Sequence, residues 1–280
     1  MHTLNLIEPS LSSVGYRIVV FPDGQPHIKI DMETVADEHK EKTITVYTRI
    51  TNPTDLMLLL LAKNTLDYLG FARVELYISY LMAARMDRVM LDGEPFSLKV
   101  IAAIINSTGF QKIKIFDPHS DVSTALIDKS YAISNHRFVK DALEDHFSHY
   151  PAEKFCIVSP DAGALKKIHK LAAALHIENV VECMKERDLK TGALTNFKTT
   201  VQDLSGLTCC IIDDICDGGG TFAGTAQMLK EKGAAKVVLV VSHGIFSKGV
   251  GIPGVDALYC SSSYRRVKDI PCFDIMKYLE

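Results

Sequence analysis

The chain has 280 residues, a net charge of −3, 47% hydrophobic residues and 23% charged residues. This length accommodates one large domain or two domains of ordinary size, and the composition is typical of a globular protein. The small negative charge excludes a basic field for nucleic acid, and the longest apolar run, residues 56–62, is too short to span a membrane.

Short apolar strands alternate with amphipathic helices along most of the chain, which predicts an α/β fold with parallel sheets covered by helices. In chain order the predicted elements are strand 43–47, helix 53–68, strand 74–80, helix 96–106, strand 112–116, helix 136–149, strand 154–159, helix 161–175, strand 179–184, strand 208–213, a helix from about residue 222 and strand 236–242. A polar stretch at 129–135 places a domain boundary near residue 140, which gives domains 1–140 and 141–280.

The N-terminal residues lack a basic segment followed by an apolar core, so we expect no secretion signal. The seven cysteines show no metal-ligand spacing, and Cys156, Cys209 and Cys210 fall in segments that are typical of buried strands. Such cysteines behave as small core residues in a reducing compartment. We therefore expect a cytoplasmic protein.

The segment from Cys210 to Thr221 places three carboxylates, three glycines and a threonine directly after an apolar strand. Glycines between a strand and a helix let backbone N–H groups surround an anion, and the helix N-terminus adds a partial positive charge. The neighbouring acids fit a ligand that also carries hydroxyl groups or a magnesium ion, as a ribose phosphate does. The alternative is a solvated turn that only caps the helix.

Other polar clusters follow other strands, where ligands of such sheets bind. Arg85 and Asp87 lie in a loop after strand 74–80; arginine suits a polyphosphate, although a surface ion-pair loop is the alternative. Asp161 closes a strand and suits Mg²⁺, which is usually shared between few protein ligands and substrate phosphates. His119 also closes a strand, but a lone histidine is more often a structural hydrogen-bonding group.

Residues 185–200 form a polar segment that we interpret as a flap. Its Lys185 and Arg187 could neutralise a transferring phosphoryl group while the flap excludes water, and a solvated loop of balanced charge is the alternative. Residues 20–26 predict a tight turn, in which Phe21 taken by itself favours a core position over a base-stacking one.

Taken together and in this order, the segments resemble the ribose-phosphate pyrophosphokinase family, the phosphoribosyl pyrophosphate synthetases. The resemblance runs from about Phe21 to Phe246. The family's loop Asp-Asp-x-x-Asp-Thr-Gly/Cys-Gly-Thr is similar to residues 213–221, and its ATP loop Ala-Arg-Gln-Asp-Arg is similar to residues 84–88. The other similar segments are the Asp-Leu-His segment at 117–119, Ser-Pro-Asp-Ala-Gly-Gly at 159–164, the flap Lys-Glu-Arg at 185–187, Thr-His-Gly-x-Phe-Ser at 242–247 and Phe-x-Asp-Gly-Glu at 21–25.

The resemblance implies two tandem domains of the type I phosphoribosyltransferase fold in a homo-oligomer, a dimer or a hexamer, in which the Phe21 turn completes a neighbour's ATP site. It implies Mg²⁺-dependent transfer of diphosphate from ATP to the anomeric hydroxyl of ribose 5-phosphate, which yields phosphoribosyl pyrophosphate and AMP. Lys185 and Arg187 would be catalytic, and His119 and Asp161 would bind the metal. The ATP-binding residues would be Phe21, Asp23, Gln25, Arg85, Asp87 and His119. The ribose phosphate would be bound by Asp213, Asp214, Asp217, Gly218, Gly219, Gly220 and Thr221.

Several positions depart from the family pattern. Gln25 occupies the position of the family's glutamate, Met86 that of its ATP-loop glutamine and Ala164 that of its second glycine. Gly218 occupies the position of the first threonine of the family's phosphate loop. Loss of that threonine hydroxyl removes one contact to a 5′-phosphate and opens space beside it, so ADP-ribose is an alternative acceptor. Residues 261–266 lack the family's Thr-Asn-Thr-Ile-Pro, so allosteric inhibition by ADP is not carried over.

Two other functions remain as hypotheses. A phosphoribosyltransferase that consumes the activated sugar would need neither the flap nor the ATP loop, and both are present. A catalytically silent subunit of a synthetase would tend to lose flap and metal residues, whereas Lys185, Arg187, His119 and Asp161 are retained.

Overall fold

The computed structural model describes residues 2–187 and 194–279, without the side chains of residues 38, 39, 186, 187 and 194–196. Within this part the chain divides into two compact units, residues 2–133 with Leu279 and residues 134–278. The division precedes the first helix of the second unit, whereas the boundary expected near residue 140 falls inside that helix.

The first unit is built on a five-stranded parallel sheet. In chain order its elements are β1 (His2–Asn5), β2 (Tyr16–Val20), β3 (Pro26–Ile30), α1 (Asp37–Lys40), β4 (Thr43–Ile50), α2 (Pro53–Tyr68), β5 (Arg73–Leu81), α3 (Ser97–Asn106), β6 (Lys112–Phe116), α4 (Asp121–Leu126) and β7 (Ser130–Ile133). The sheet order is β1-β4-β5-β6-β7, and β2 and β3 form a separate antiparallel hairpin. The carboxyl ends of β5 and β6 therefore lie side by side.

The second unit is built on a seven-stranded sheet. Its elements are α5 (His136–His149), β8 (Lys154–Ser159), α6 (Leu165–Leu175), β9 (Val180–Arg187), β10 (Leu194–Thr199), β11 (Leu207–Cys216), α7 (Gly220–Glu231), β12 (Lys236–Gly244), β13 (Ala257–Ser261) and β14 (Cys272–Phe273). The order is β10-β9-β8-β11-β12-β13-β14, and all neighbours are parallel except β10 and β9. The loops after β9, β8, β11, β12 and β13 consequently follow one another along one edge.

Local chemistry explains why several predicted elements match the structure. Helix α2 spans the predicted residues because its start is capped. The Asn52 side chain accepts hydrogen bonds from the N–H groups of Thr54 at 2.8 Å and of Asp55 at 3.1 Å. Pro53, in the first turn, has no N–H group that needs a partner. Cys156 and Cys209 are buried on the adjacent strands β8 and β11, with their sulfur atoms 3.6 Å apart. The prediction that these cysteines are core residues is confirmed.

Other predictions were incomplete or wrong. The polar stretch at 129–135 contains the edge strand β7, and β1, β2, β3, β10, β13 and β14 were also missed. Helix α6 begins at Leu165 rather than at residue 161, because the Asp161 carboxylate accepts the N–H of Ala164 at 3.0 Å and forms a turn first. None of the helices in residues 2–187 and 194–279 combines the length and the hydropathy that a membrane span requires.

A carboxylate joins three elements at the amino edge of the second sheet, opposite the loops described below. Glu153 accepts the Thr208 hydroxyl at 2.7 Å and pairs with Lys236 at 2.5 Å, and His146 lies 3.6 Å away. Burial raises the pKa of Glu153, but the hydrogen bonds from Lys236 and Thr208 outweigh burial and hold this pKa below its usual value.

We expect Glu153→Ala to reduce the free energy of unfolding by about 1 kcal/mol at pH 7 and to leave turnover unchanged. Because the pKa is lowered in the folded state, this difference is largest above a pH of about 4.5 and is lost as the pH falls further. Denaturant titrations at several pH values measure the effect, with exposed Glu178→Ala as the control. An equal effect of both substitutions would contradict the assignment.

Candidate active site

One ammonium group connects three segments at the carboxyl edge of the second sheet: a strand, a loop and the start of a helix. The Nζ atom of Lys185, near the end of β9, lies 2.7 Å from Oδ2 of Asp161, in the loop after β8. The same Nζ donates to Oγ1 of Thr221, in the first turn of α7, at 3.0 Å. The structure thus brings together three residues that the sequence singled out separately.

The Asp161 carboxylate is held in its ionised form by its surroundings. Its Oδ1 atom accepts the backbone N–H of Ala164 at 3.0 Å. Burial raises the pKa of Asp161, but the hydrogen bond and the charge of Lys185, together with N–H groups of Ala164 and Gly163, hold the pKa below its usual value. The residue at this strand end is therefore an anion that faces a cation.

Asp213 and Asp214 form an acidic pair at the end of β11. The Asp214 N–H donates to Oδ1 of Asp213 at 2.8 Å, and Asp214 is buried. Burial, followed by the charges of Asp214 and Asp161, raises the pKa of Asp213 well above its usual value. Such a pair gains from a ligand that brings positive charge or hydroxyl donors, because each carboxylate disfavours ionisation of the other.

The glycine loop needs glycine at its centre. Gly219 has a φ of +75°, a conformation that residues with a side chain rarely adopt, and an added Cβ would lie 3.1 Å from the Ile252 side chain. Helix α7 then begins at Gly220, with no side chain capping its N-terminus and no acidic residue in its first turn. The first N–H groups of α7 and its dipole can therefore act on an anion.

The strand that carries Lys185 is part of an antiparallel hairpin, β9–β10, that packs on α7. The Phe197 ring of β10 covers Gly224, since a Cβ at residue 224 would lie 2.3 Å from the ring. Sequence reasoning missed this contact, although a glycine inside a helix is a signal of close packing. The described parts of the predicted flap are therefore ordered β-structure on both sides of residues 188–193.

Arg187 was predicted to be catalytic, and its side chain lies outside the described part of the chain, as do residues 188–193. Its backbone pairs with Leu194 in the hairpin. Asp217, Gly218 and Gly220 lie in the loop between β11 and α7 or at the start of α7. Among the described residues, no three His, Cys, Asp or Glu side chains form a cluster that could hold a metal ion.

The loop after β12 is fixed to the glycine loop by backbone hydrogen bonds. The N–H groups of Ile245 and Phe246 both donate to the Cys216 carbonyl, at 2.9 and 3.1 Å. This places Lys248 beside Gly218: a Cβ built on Gly218 would lie 3.5 Å from Cε of Lys248. Sequence reasoning did not identify Lys248, which stands one residue beyond the segment that carried the resemblance.

In the first unit, Asp87 connects the loop after β5 with the loop after β6. Asp87 is buried and accepts Nε of Arg88 at 3.0 Å. Burial raises the pKa of Asp87, but hydrogen bonding from Ser120 and Arg88 and the charge of His119 hold it below its usual value. Arg85 is exposed in the same loop. The predicted ATP-loop residue Asp87 and the strand-end residue His119 are thus neighbours.

The turn at Phe21 lies at the tip of the β2–β3 hairpin. The prediction of a core position for Phe21 is wrong, since 47% of the residue is exposed and its nearest ring partner is His27, at 5.8 Å between centroids. A side chain at a hairpin tip has no second layer above it to bury it. Both Asp23 and Gln25 are exposed, and the Gln25 amide donates to Asp23 at 3.0 Å.

Comparison with known proteins identifies the family. Residues 133–261 match the family model described as the phosphoribosyl transferase domain. The ribose-phosphate pyrophosphokinase of Maricaulis maris is 30% identical over 231 residues, which cover 81% of this chain and 71% of the relative. This chain belongs to the ribose-phosphate pyrophosphokinase family. The family enzymes of Sulfurisphaera tokodaii and Pyrococcus abyssi are 30% and 28% identical, covering 81% and 84% of this chain and 75% and 78% of the relatives.

A solved structure supports the same fold. The phosphoribosylpyrophosphate synthetase from Mycobacterium smegmatis superposes with a TM-score of 0.78 at 19% sequence identity, covering 99% of this chain and 96% of that protein. The predicted fold class, two tandem phosphoribosyltransferase-like domains with mostly parallel sheets flanked by helices, is confirmed. The resemblance deduced from the motifs is confirmed as well.

The packing of Phe197 on α7 gives a test of how the hairpin is held in this pyrophosphokinase. We expect Gly224→Ala to displace the ring and to weaken the hairpin locally by about 1–3 kcal/mol, because the new Cβ overlaps the ring. Hydrogen exchange should then accelerate at the amides of Lys198 and Thr199, which lie in β10 opposite β9. Gly251→Ala, with no atom within 4 Å of its Cβ, is the control. Unchanged exchange in both variants would show that Phe197 does not anchor the hairpin.

Proposed function

We propose that this protein transfers an intact diphosphate group from MgATP to the anomeric hydroxyl of ribose 5-phosphate and releases phosphoribosyl pyrophosphate and AMP. In this reaction the anomeric oxygen attacks the β-phosphorus, the bond between that phosphorus and the oxygen on the α-phosphate breaks, and the hydroxyl proton leaves. The observation that carries the proposal is the position of Lys185, whose Nζ lies within 3.0 Å of both the Asp161 carboxylate and the Thr221 hydroxyl.

Lys185 is suited to stabilise charge that develops during the transfer. It stands between the loop proposed to hold the sugar phosphate and the carboxylate proposed to hold the metal–ATP complex. A fixed cation accelerates such a transfer because charge develops on the phosphoryl oxygens, and positioning supplies much of the remaining acceleration. In the proposal Arg187, two residues further along β9, shares this role.

The acceptor is proposed to bind at the end of β11. Its 5′-phosphate would contact the N–H groups at the start of α7 and the Thr221 hydroxyl, in the loop formed by Asp217, Gly218, Gly219 and Gly220. Asp213 and Asp214 would accept hydrogen bonds from the ribose hydroxyls. These donors would offset the burial and the mutual repulsion of the two carboxylates, which together raise the pKa of Asp213.

Magnesium fits the residues present as a sparsely held ion. Asp161 is an ionised oxygen ligand, and Mg²⁺ is usually bound by few protein oxygens and mainly through substrate phosphates. Asp161 and His119 are the proposed protein ligands. When bound, Mg²⁺ would neutralise charge on the ATP phosphates. Lys185 contacts Oδ2 of Asp161, so that oxygen would be available to the ion only if the ammonium group moved toward the substrate.

The nucleotide is proposed to bind in the first unit. Arg85 and Asp87 in the loop after β5 would position ATP, and the exposed hairpin tip with Phe21, Asp23 and Gln25 would complete the site of a neighbouring subunit. The hairpin supports this role in a homo-oligomer, dimer or hexamer, since its apolar side chains are exposed. These are Ile18, Val19, Val20 and Phe21, with exposures of 42%, 41%, 61% and 47%.

One assay decides between the proposed acceptors. Purified protein with MgATP is supplied with ribose 5-phosphate or ADP-ribose, and AMP release is followed. The primary proposal expects turnover with ribose 5-phosphate. Turnover with ADP-ribose alone would replace the acceptor but keep the chemistry, an alternative that Gly218 favours because residue 218 itself has no side chain. Absence of AMP with both would favour a silent subunit of a synthetase.

Removal of the bridging cation tests the mechanism. We expect Lys185→Ala to reduce kcat by about 100- to 1,000-fold, since charge stabilisation in the transition state is lost. The ion pair with Asp161 is partly exposed, so the melting temperature should change little. The exposed Lys170→Ala on α6 is the control. A kcat within about threefold of wild type would remove Lys185 from the mechanism.

A second substitution tests the metal site. We expect Asp161→Asn to raise the Mg²⁺ concentration that gives half-maximal turnover by about tenfold or more, because a neutral amide oxygen binds Mg²⁺ less well than a carboxylate. Turnover is measured against free Mg²⁺ at saturating ATP, and removal of Mg²⁺ by a chelator should abolish it. The same Mg²⁺ dependence in the variant and wild type would refute a role of Asp161 as a ligand.

A further inference from the structure

The loop that would hold the 5′-phosphate is bordered, on the side away from Lys185, by two cations that the proposed reaction does not use. They come from the next two strands of the sheet: Lys248 follows β12 and Arg265 follows β13. Both residues are exposed. Since the strand order is β9-β8-β11-β12-β13, Lys185 and these two cations lie on opposite sides of the glycine loop.

The Lys248 stem occupies the position next to Gly218. A Cβ on Gly218 would lie 3.5, 3.6 and 3.9 Å from Cε, Cδ and Cγ of Lys248. These are ordinary contact distances, so the stem runs along the loop and brings the ammonium group to its rim. Lys248 makes no hydrogen bond or ion pair with the residues that the structure describes. Its charge is therefore available to a ligand.

The turn that carries Lys248 is held in place. The Phe246 carbonyl accepts the N–H of Gly249 at 3.1 Å and Nη2 of Arg265 at 3.5 Å. Because Phe246 and Ile245 also donate to Cys216, the turn is tied to the start of the glycine loop. The guanidinium of Arg265 thus lies at the same turn as Lys248, and it retains further N–H donors.

The charge at this rim exceeds what a phosphate monoester requires. The N–H groups of the uncapped α7 terminus and the Thr221 hydroxyl already provide donors for one phosphoryl group. Two additional cations just beyond Gly218, a residue without a side chain of its own, match a second anionic group that continues outward from the first. Arginine and lysine are the residues that bind phosphoryl oxygens in this way.

We propose that Lys248, assisted by Arg265, is a specificity-determining residue that binds the second phosphoryl group of an acceptor whose ribose carries a 5′-diphosphate. This inference rests on the proposed function, because it assigns the acceptor class at the same site. It extends the acceptor class at this site from ribose 5-phosphate to ribose 5′-diphosphate esters, such as ADP-ribose. The substituent beyond the second phosphate would extend past the loops that follow β12 and β13.

The test compares two acceptors in wild type and three variants. We expect Lys248→Ala to lower kcat/KM for ADP-ribose by about tenfold or more, and for ribose 5-phosphate by a much smaller factor, because a charge-assisted hydrogen bond to the second phosphate is lost. Arg265→Ala should shift the ratio of the two kcat/KM values in the same direction. Lys154→Ala, an exposed lysine at the amino end of β8, should leave the ratio unchanged.

A substitution with the opposite expected effect distinguishes a change in acceptor preference from a general loss of activity. Gly218→Thr should be tolerated, since its Cβ meets Lys248 only at contact distance. We expect it to shift the ratio of kcat/KM values toward ribose 5-phosphate, because the hydroxyl adds a contact to the first phosphate and the side chain narrows the path to the second. Equal losses with both acceptors in Lys248→Ala, or no loss with either, would overturn the inference and leave the proposed reaction intact.

Equilibrium binding separates this inference from the reaction itself. Without ATP, calorimetric titration of wild type and Lys248→Ala with ADP-ribose and with ribose 5-phosphate measures the acceptor site alone. A selective loss of ADP-ribose affinity supports the inference even if neither acceptor is turned over, an outcome that would refute the proposed function. Equal affinities of the two proteins for ADP-ribose would refute the inference whatever the turnover.

Discussion

The contact of Lys185 with Asp161 and Thr221 is the interaction on which the candidate site depends. It joins the ends of β9, β8 and β11, which come from separate parts of the chain. A single ammonium group can serve both oxygen atoms because neighbouring parallel strands end at the same edge of the sheet. The contact also holds Asp161 ionised against the effect of burial.

The site also contains an electrostatically unfavourable acidic pair. Asp213 and Asp214 are adjacent and poorly solvated, so one carboxylate disfavours ionisation of the other. Glycine is needed at residue 219 because its φ is positive and because a Cβ there would lie 3.1 Å from the Ile252 side chain. A ligand that brings positive charge or hydroxyl donors would stabilise the ionised form of this acidic pair.

Both units place an aspartate that follows a strand of the sheet in contact with a basic residue. In each, a partly or fully buried aspartate after one strand contacts a basic residue: Asp161 contacts Lys185, and Asp87 contacts Arg88. Asp87 also lies near His119, from the loop after the neighbouring strand. Within the second unit the positive groups continue beyond the glycine loop to Lys248 and Arg265. In the proposal, these outer positions decide the choice of acceptor.

The sequence by itself determined the α/β class, most helices and central strands, and the family, because these depend on local periodicity and on contiguous motifs. Residues 213–221 and Lys185 were identified in this way, and Asn52 marked the start of α2 from its capping chemistry. Edge strands such as β7 and β10 were missed, since exposed strands lack the apolar pattern of buried ones. Only the tertiary structure decided that Phe21 is exposed, that Phe197 covers Gly224 and that Lys248 lies beside Gly218. These three features depend on contacts between residues that are distant in sequence, or on the position of a loop in space. Local residue patterns determine neither such contacts nor loop positions.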